Sequence, residues 1–287
     1  MVWHWNEPLA PTPEDPLFEP FIRTDAYGEA GHRITPVRAL RLAVLAVTLL
    51  PCRLAAALLS VAGYYLLLRV LAVLPDGVIT RRIAAFWGRF WSTACLLSLG
   101  FVRVRWVHVG ERGAARRGAP PPWQVAIVSN HVSWADILIH MSRALPSFVA
   151  RDGTQNIRMV GLISQRIECI YVDREKKAGT ATPVGAVGVG EQVRRRMLHG
   201  WEHPEEEHRP MLLFPEGTTS NGKCLLPFKT GAFLAGLPVQ PIIIKYANLN
   251  YSGLKASDAT LEDKRRYQAD LKLRLAAAAQ KRGGSAR

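Results

Sequence analysis

The feature that most constrains the fold is an alternation of short apolar runs with helical patterns, which begins at Trp123. Such continuously apolar runs are typical of strands buried on both faces of a sheet. They occupy residues 125–128, 148–150, 169–172, 211–214 and 239–245. Helical patterns follow Ser133 and recur at 157–166, 184–198 and, briefly, 231–237. The sequence therefore predicts an α/β fold, with a largely parallel open sheet flanked by helices.

Three polar residues follow the apolar runs of three different predicted strands: His131, Arg174 and Glu216. In an open parallel sheet, the loops beyond the carboxyl ends of the strands converge on one crevice. We therefore expect these three side chains to share a site.

The first of these loops, at 129–136, brings a histidine and a carboxylate to a predicted strand-to-helix junction. Asp136 lies about one turn into the predicted helix and is expected to hydrogen-bond one imidazole nitrogen of His131. The other nitrogen would then accept a proton, which suits general base catalysis on a hydroxyl group. Alternatively, Ser133 caps the helix with Asp136 as its capping-box partner, and His131 merely occupies the loop. The spacing alone leaves both interpretations open.

Four motifs, taken together and in this order, resemble those of the glycerolipid acyltransferases. They are the H-x4-D pair of His131 and Asp136, I-Y-V-D-R at 170–174, F-P-E-G-T at 214–218 and P-V-Q-P-I-I-I at 238–244. The longer run at 212–223, followed by Gly231-Ala232-Phe233, is most similar to the lysophosphatidylcholine and lysophosphatidylethanolamine acyltransferases. The resemblance covers roughly residues 37–246; beyond it, a charged helix at 261–279 departs from the family pattern.

The resemblance implies a role for each candidate site residue. His131 would deprotonate the free hydroxyl of a lysophospholipid, which then attacks the thioester of acyl-CoA, and Asp136 would orient His131. Glu216, Gly217 and Thr218 would help to bind the glycerophosphate part of the acceptor, with Glu216 assigned to a glycerol hydroxyl or to a basic partner.

Arg174 would contact the acceptor phosphate, because its guanidinium is a planar donor fork. A surface ion pair of Arg174 with Asp173 or Glu175 is the alternative. No cofactor is implied beyond acyl-CoA as co-substrate, and lysophosphatidylethanolamine or lysophosphatidylcholine is the favoured acceptor. Other interpretations are a lysophosphatidate acyltransferase, a hydrolase, and a catalytically weak protein that binds lipid at the membrane.

Residues 40–74 are the most apolar part of the chain and are interrupted by Pro51 and Arg53. The piece at 54–74 just reaches the roughly 20 apolar residues that a spanning helix requires. Pro51 and Arg53 predict two helices meeting at a bend, an N-terminal membrane-embedded helical hairpin that dips into one leaflet or lies along it. A single span and a buried soluble hairpin are the alternatives. An aromatic and basic helix at 83–99 should follow.

Four parts are expected along the chain. They are a flexible N-terminal arm at 1–36, membrane-anchoring helices at 37–80, an acyltransferase domain at 81–250 and a charged C-terminal helix and tail at 251–287. The arm is rich in proline and charge without periodicity, so it is expected to be flexible or ordered only on contact. The resemblance implies a membrane protein, expected in the endoplasmic reticulum with its active site facing the cytosol.

The net charge of +14 indicates an anionic partner. Zinc-finger spacing and aromatic RNA-reading patterns are lacking, so the expected partners are acyl-CoA, a lysophospholipid and membrane lipids, without nucleic acid. A histidine-rich stretch, His199, His203 and His208, is loosely spaced and interrupted by Pro204, which favours a solvated loop over a metal site. The four cysteines are expected to be reduced core residues: Cys52, Cys95, Cys169 and Cys224.

Overall fold

The computed structural model describes residues 15–22, 36–108, 125–172, 188–246 and 255–284. The α-helices are α1 (Pro36–Leu71), α2 (Val78–Ser98), α3 (Ala135–Arg143), α4 (Val160–Arg166), α5 (Val189–Glu202) and α6 (Leu261–Gly284). The strands are β1 (Ala126–Ser129), β2 (Ser147–Arg151), β3 (Ile170–Val172), β4 (Met211–Leu213), β5 (Cys224–Leu225), β6 (Gln240–Ile242) and β7 (Lys255–Ala256). Short 3-10 helices lie at Pro16–Phe21, Asp152–Asn156, Pro204–Glu206 and Thr230–Ala232.

Five parallel strands form the central sheet, in the order β3-β2-β4-β1-β6. The predicted α/β class, with a parallel sheet flanked by helices, is therefore confirmed. Every residue of β1 and β4 is buried, which accounts for the continuous apolar runs that identified them. The predicted short helix at 231–237 is instead the 3-10 helix Thr230–Ala232.

The two faces of the sheet carry different layers of helices. Ile127 and Leu212 pair in register and belong to one apolar cluster, which also contains residues of α1 and α2. Their strand neighbours Val128 and Leu213 point to the opposite face, where they pack in a second cluster with Met197 of α5. The core therefore lies on both sides of β1 and β4, and holds their carboxyl ends side by side.

Helix α1 continues without a break through Pro51, so the predicted pair of helices meeting at a bend there is wrong. Proline removes one N–H donor from a helix, but the apolar sequence on both sides of Pro51 favours helix, and proline is tolerated within apolar membrane helices. The hairpin is instead formed by α1 and α2. The two helices are tightly packed where they face each other. A Cβ on Gly88 of α2 would lie only 2.7 Å from the hydroxyl of Tyr64 in α1.

The two ends of α1 have different surroundings. Its last turns contribute Tyr64, Leu68 and Leu71 to the core of the domain. The turns before Ala57 are exposed on nearly every side, and Val47 is 78% accessible. By length and composition α1 is the one helix among the described residues that could cross a membrane. This exposure argues against the hairpin buried in a soluble protein.

A second, two-stranded parallel sheet, β5 with β7, lies outside the predicted elements. Next to it, the 3-10 helix Pro16–Phe21 packs on α6 through an apolar cluster that contains Phe18, Phe21 and Tyr267. The described part of the N-terminal arm is thus ordered by contact with the C-terminal helix.

The cysteines form no disulfide among the described residues. Cys95 and Cys224 are buried as expected, and Cys169 is partly buried. Cys52 is exposed on the outer part of α1, so its assignment to the core is wrong. An apolar neighbourhood in sequence marks either a protein core or a lipid-facing helix, and α1 is the second case.

Candidate functional site

We predicted that His131, Glu216 and Arg174 meet at one edge of the sheet, and the structure brings the first two together. β1 and β4 are parallel neighbours in which Val128 pairs with Leu213, so His131 and Glu216 emerge from adjacent strand ends. The backbone N–H of His131 donates to Oε1 of Glu216 over 3.3 Å. Arg174, the third predicted member, lies outside the described residues.

His131 and Asp136 form a direct pair. Nδ1 of His131 lies 2.9 Å from Oδ2 of Asp136, a carboxylate that is fully buried at the start of α3. The same Oδ2 accepts hydrogen bonds from the backbone amides of Val132 and Ser133, at 2.7 and 2.9 Å. Asp136 therefore both ties down the loop, as in the capping-box interpretation, and holds the imidazole. The two interpretations describe one arrangement.

The tautomer of His131 follows from this contact. An ionised carboxylate only accepts hydrogen bonds, so Nδ1 carries the proton and Nε2 presents a lone pair. The ring stacks on Phe214, with centroids 4.1 Å apart and planes inclined by 16°, and its side chain is 17% accessible. An imidazole that is fixed in plane, oriented by a buried carboxylate and open at Nε2 has the properties of a general base.

Tyr246 is a member of the site that sequence reasoning missed. Its hydroxyl donates to the second carboxylate oxygen, Oδ1, of Asp136 over 2.5 Å. Burial and the contact with Asp136 raise the pKa of Tyr246 well above its usual value, so the phenol stays a neutral donor. Like His131 and Glu216, Tyr246 follows an apolar run that ends a strand of the sheet, and this signal could have identified it.

Asn130 holds the segment that carries Tyr246 close to the end of β1. Its side-chain amide donates to the carbonyl of Ile244 over 3.1 Å, and its carbonyl oxygen accepts from the backbone N–H of Ile244 over 2.8 Å. This reciprocal pair joins the end of β1 to the chain beyond β6. Tyr246, two residues further on, is thereby held at the distance that its contact with Asp136 requires.

Glu216 is buried, at 3% accessibility, and its two oxygens accept from backbone amides of two separate segments. Oε1 accepts from His131 and Oε2 from Leu226, each over 3.3 Å. Burial raises the pKa of Glu216 to about 7, and the charge of Asp136 acts in the same direction, while the two amides and Lys264 oppose the shift. Glu216 thus connects the loop of the first motif to the segment that follows the third.

The remaining residues of the third motif form a tight turn beside His131. Gly217 has a left-handed backbone, with φ of +68°, and its N–H donates to the carbonyl of Phe214 over 2.9 Å. Thr218 is buried next to it. Two residues beyond, the N–H of Ser220 donates to the carbonyl of His131 over 2.9 Å, so the turn and the histidine loop are joined directly.

Two lysines approach this turn. A Cβ on Gly217 would lie 2.8 Å from Cε and 2.9 Å from Nζ of Lys229, so the end of the Lys229 side chain rests against this glycine. Nζ of Lys264, in α6, donates to the backbone oxygen and to the hydroxyl of Thr219, each over 2.5 Å. Sequence reasoning missed Lys264, because one basic residue in a highly charged helix carries no local signal.

The histidine-rich stretch forms a separate charged group. Nε2 of His199 and Nε2 of His208 lie 3.0 and 2.7 Å from the same oxygen of Glu206, and these three residues offer ligand atoms within 4.8 Å of one another. However, Arg196 contacts both His208 and Glu168 in the same group, and burial and the charge of Arg196 lower the pKa of His208. The nearby charge of Arg196 would repel a dication, and we assign no metal to the group.

Comparison with known proteins places the chain among acyltransferases. The family model "Acyltransferase" matches residues 119–245. Lysophospholipid acyltransferase LPEAT1 of Arabidopsis thaliana is 36% identical over 282 residues, covering 83% of this chain and 68% of that protein. Lysophospholipid acyltransferase LPCAT4 of Homo sapiens is 37% identical over 150 residues, covering 52% of this chain and 25% of that protein.

Lysophosphatidylcholine acyltransferase 2 of Homo sapiens is 28% identical over 241 residues, covering 81% of this chain and 39% of that protein. The chain thus spans 68% of the Arabidopsis relative and less than half of the two human relatives. No solved structure gives a significant match.

Proposed function

Because the chain belongs to the lysophospholipid acyltransferase family, we propose that it moves a fatty acyl group from acyl-CoA to the free hydroxyl of a lysophospholipid. Membership of the family confirms the prediction of an acyltransferase. The observation that carries the proposed mechanism is the pair of His131 and Asp136, in which a buried carboxylate leaves Nε2 of the imidazole as the open base.

In the proposed reaction, Nε2 of His131 takes the proton of the acceptor hydroxyl while that oxygen attacks the carbonyl carbon of the thioester. The C–O ester bond forms and the C–S bond breaks. The proton held by His131 then passes to the departing CoA thiolate. Asp136 stabilises the transient imidazolium, and Tyr246 and the two backbone amides fix the carboxylate in place.

Direct transfer, without an acyl-enzyme intermediate, is favoured by the surroundings of His131. Among the described residues, no serine, threonine or cysteine side chain hydrogen-bonds its ring. Ser133, the nearest hydroxyl in the motif, accepts from the N–H of Ala135 over 3.3 Å and belongs to the helix start. The acceptor hydroxyl is then the group that loses a proton to His131.

Lysophosphatidylethanolamine and lysophosphatidylcholine are the proposed acceptors. Each has a single phosphodiester and a cationic headgroup, which suits a crevice that contains acidic Glu216 together with basic residues. The names of the relatives point in the same direction. A lysophosphatidate acyltransferase is the second candidate, and the phosphate role proposed for Arg174 is shared by both.

The enzyme is proposed to act at the membrane of the endoplasmic reticulum, with its site on the cytosolic side. Helix α1, long and apolar enough to cross a bilayer and exposed along its first turns, supports a membrane protein. Insertion of α1 would hold the sheet next to the lipid surface, where single-chain acceptors partition.

The test is to supply membranes containing the full chain with labelled oleoyl-CoA and, separately, lysophosphatidylethanolamine, lysophosphatidylcholine and lysophosphatidate. We expect labelled phospholipid from the first two acceptors at higher kcat/KM than from the third. A clear preference for lysophosphatidate would contradict the proposed acceptor, and release of free oleate without phospholipid would identify a hydrolase. Membranes containing His131→Ala serve as the matched background.

A further inference from the structure

Helix α6 lies beyond residues 119–245, the range that the family model matches, yet it reaches the candidate site. Lys264, in its first turns, donates two hydrogen bonds to Thr219. Thr219 directly follows the turn of Gly217 and Thr218, and the backbone N–H of the next residue, Ser220, donates to the carbonyl of His131. Lys264 is thus separated from the proposed base by one short, rigid loop.

Helix α6 is held in place by apolar packing in addition to the contacts of Lys264. α6 is held by Tyr267, which packs against Phe18 and Phe21 of the N-terminal 3-10 helix. The start of α6 is also capped, since Thr260 donates to Asp263 over 2.8 Å through its N–H. Removal of the ammonium should therefore leave the helix docked.

The same N-terminal segment is tied to the loop of the third motif. The side-chain amide of Asn221 donates to the carbonyls of Glu19 and Ile22, at 2.7 and 3.2 Å, and its backbone N–H donates to Pro20 over 2.6 Å. The loop, the N-terminal 3-10 helix and α6 therefore support one another beside His131.

Nζ of Lys264 lies 5.8 Å from the centroid of the Phe21 ring, but its charge has no ion pair among the described residues. Its two acceptors on Thr219 are neutral oxygens, and no carboxylate of the described residues forms an ion pair with it. An ammonium has three N–H donors, so one is left over after the contacts with Thr219. Burial lowers the pKa of Lys264, and the charge of Glu216 opposes that change. Two neutral oxygens and an aromatic ring compensate part of the desolvation of this ammonium, and a bound anion would stabilise it further.

A second lysine lies on the same turn. The end of the Lys229 side chain lies against Gly217, and the backbone N–H of Lys229 donates to the carbonyl of Pro215 over 2.9 Å. Both lysines therefore contact the turn at 216–219, Lys229 at Gly217 and Lys264 at Thr219. This turn lies beside the proposed base. Two ammonium groups beside such a turn suit a phosphate, which accepts hydrogen bonds through several oxygens.

We propose that Lys264, together with Lys229, binds the phosphate of the acceptor lysophospholipid, and that helix α6 is therefore part of the active site. The identity of the ligand rests on the proposed function. The other phosphates available to such an enzyme are those of CoA, which have the same chemistry, and kinetics distinguishes the two sources.

The experiment compares Lys264→Met, which keeps the length of the side chain and removes its charge, with Lys272→Met on an exposed part of the same helix. KM is measured for lysophosphatidylethanolamine at saturating oleoyl-CoA, and for oleoyl-CoA at saturating acceptor. Loss of one charge-assisted hydrogen bond should raise the KM of the acceptor by roughly tenfold or more. Lys272→Met should leave both values unchanged, and Lys264→Arg should recover part of the loss.

A rise confined to the KM of oleoyl-CoA would overturn the assignment to the acceptor. Unchanged KM values for both substrates would overturn the proposal; a lower thermal unfolding midpoint in that case would show that Lys264 only supports the loop. Should Lys264→Met fail to fold, Lys229→Met gives the same test from the other side of the turn, with the same expected and contradicting results.

Direct binding separates this proposal from the proposed function. The full chain in detergent is titrated with glycerophosphoethanolamine, which carries the phosphodiester and headgroup of the proposed acceptor without an acyl chain. We expect binding by the parent protein that is weakened roughly tenfold in Lys264→Met. If the parent transfers no acyl group but shows this difference, the proposed function fails and the phosphate site stands; equal binding by both proteins overturns the site.

Discussion

Tyr246 donates a hydrogen bond over 2.5 Å to one oxygen of the Asp136 carboxylate, whose other oxygen faces His131. Asp136 follows β1, the first strand of the central sheet in sequence, and Tyr246 follows β6, the last. These two strands are neighbours in the sheet. With the amides of Val132 and Ser133, four donors surround one buried carboxylate. Tyr246 therefore acts on the proposed base indirectly, through Asp136, as a positioning residue.

Tyr246→Phe should lower kcat by roughly tenfold, since a hydrogen bond to a charged group contributes about 1.5–3 kcal/mol. A carboxylate that has lost a donor attracts the proton on His131 more strongly, so the acidic limb of the pH–rate profile should move to higher pH. Tyr65→Phe, which removes a hydroxyl from α1 outside the site, is the control. An unchanged profile would exclude a positioning role for Tyr246.

Glu216 makes stability depend on pH in a defined direction. Its pKa in the folded protein is about 7, above the ordinary value of 4.5, so the protonated form is favoured by folding. The stability that this group contributes is fully present below about pH 4.5 and is lost as pH rises through about 7. Glutamine does not ionise, so the Glu216→Gln variant does not lose stability in this way as pH rises.

We therefore expect the thermal unfolding midpoint of Glu216→Gln, relative to the parent protein, to increase between pH 4.5 and 7.5. The difference between the two proteins is the quantity to follow, because all other titrating groups cancel in it. Glu262→Gln, at an exposed position, is the control. A difference that stays constant over this range would show that Glu216 ionises normally.

Helix α1 should hold the protein on the membrane by apolar contact. Salt screens surface charge but leaves apolar burial intact, so high-salt and alkaline washes should leave the full chain in the membrane pellet. Deletion of α1 is a poor test, because Tyr64, Leu68 and Leu71 belong to the core of the domain. Substitution on its exposed side avoids this difficulty.

Val47→Asp combined with Leu58→Asp places two charges on that side, at residues 78% and 62% accessible. Each aspartate costs roughly 2.5–3.5 kcal/mol at the centre of a membrane helix, so a large fraction should move to the supernatant. Leu273→Asp, on the exposed side of α6, should remain in the pellet. Full retention of the double variant would contradict an anchor on this side of α1.

Much of the sheet could be predicted from the sequence, because burial on both faces leaves a local signal, a continuous apolar run. The same signal placed His131 and Glu216 together, since parallel strands end at one edge. The contact of Lys264 with Thr219 could not be predicted in this way. It depends on the packing of α6 against Phe18 and Phe21, far away in sequence, and a charged helix has no pattern that distinguishes one lysine from another.

The prediction of a bend between two helices at Pro51 was wrong for a related reason. In a soluble helix, proline usually marks an end or a kink, because it removes an N–H donor and its ring clashes with the carbonyl of the preceding turn. In α1 the apolar residues on both sides continue the helix, and no turn residue follows Pro51 to end it. The rule that proline ends a helix, which holds for soluble proteins, therefore predicts a helix end at Pro51, although the exposed apolar helix α1 continues through it.

The most direct test of the central claim is the rate of acyl transfer by His131→Ala, measured in a single turnover with saturating acceptor. Loss of a positioned base should lower this rate by roughly 10² to 10⁴-fold, while the unfolding midpoint and membrane retention stay unchanged. Asp136→Asn should also cause a large loss, whereas His203→Ala, an exposed histidine outside the site, should behave like the parent protein. A rate for His131→Ala comparable to that of the parent would contradict the assignment of His131 as the base.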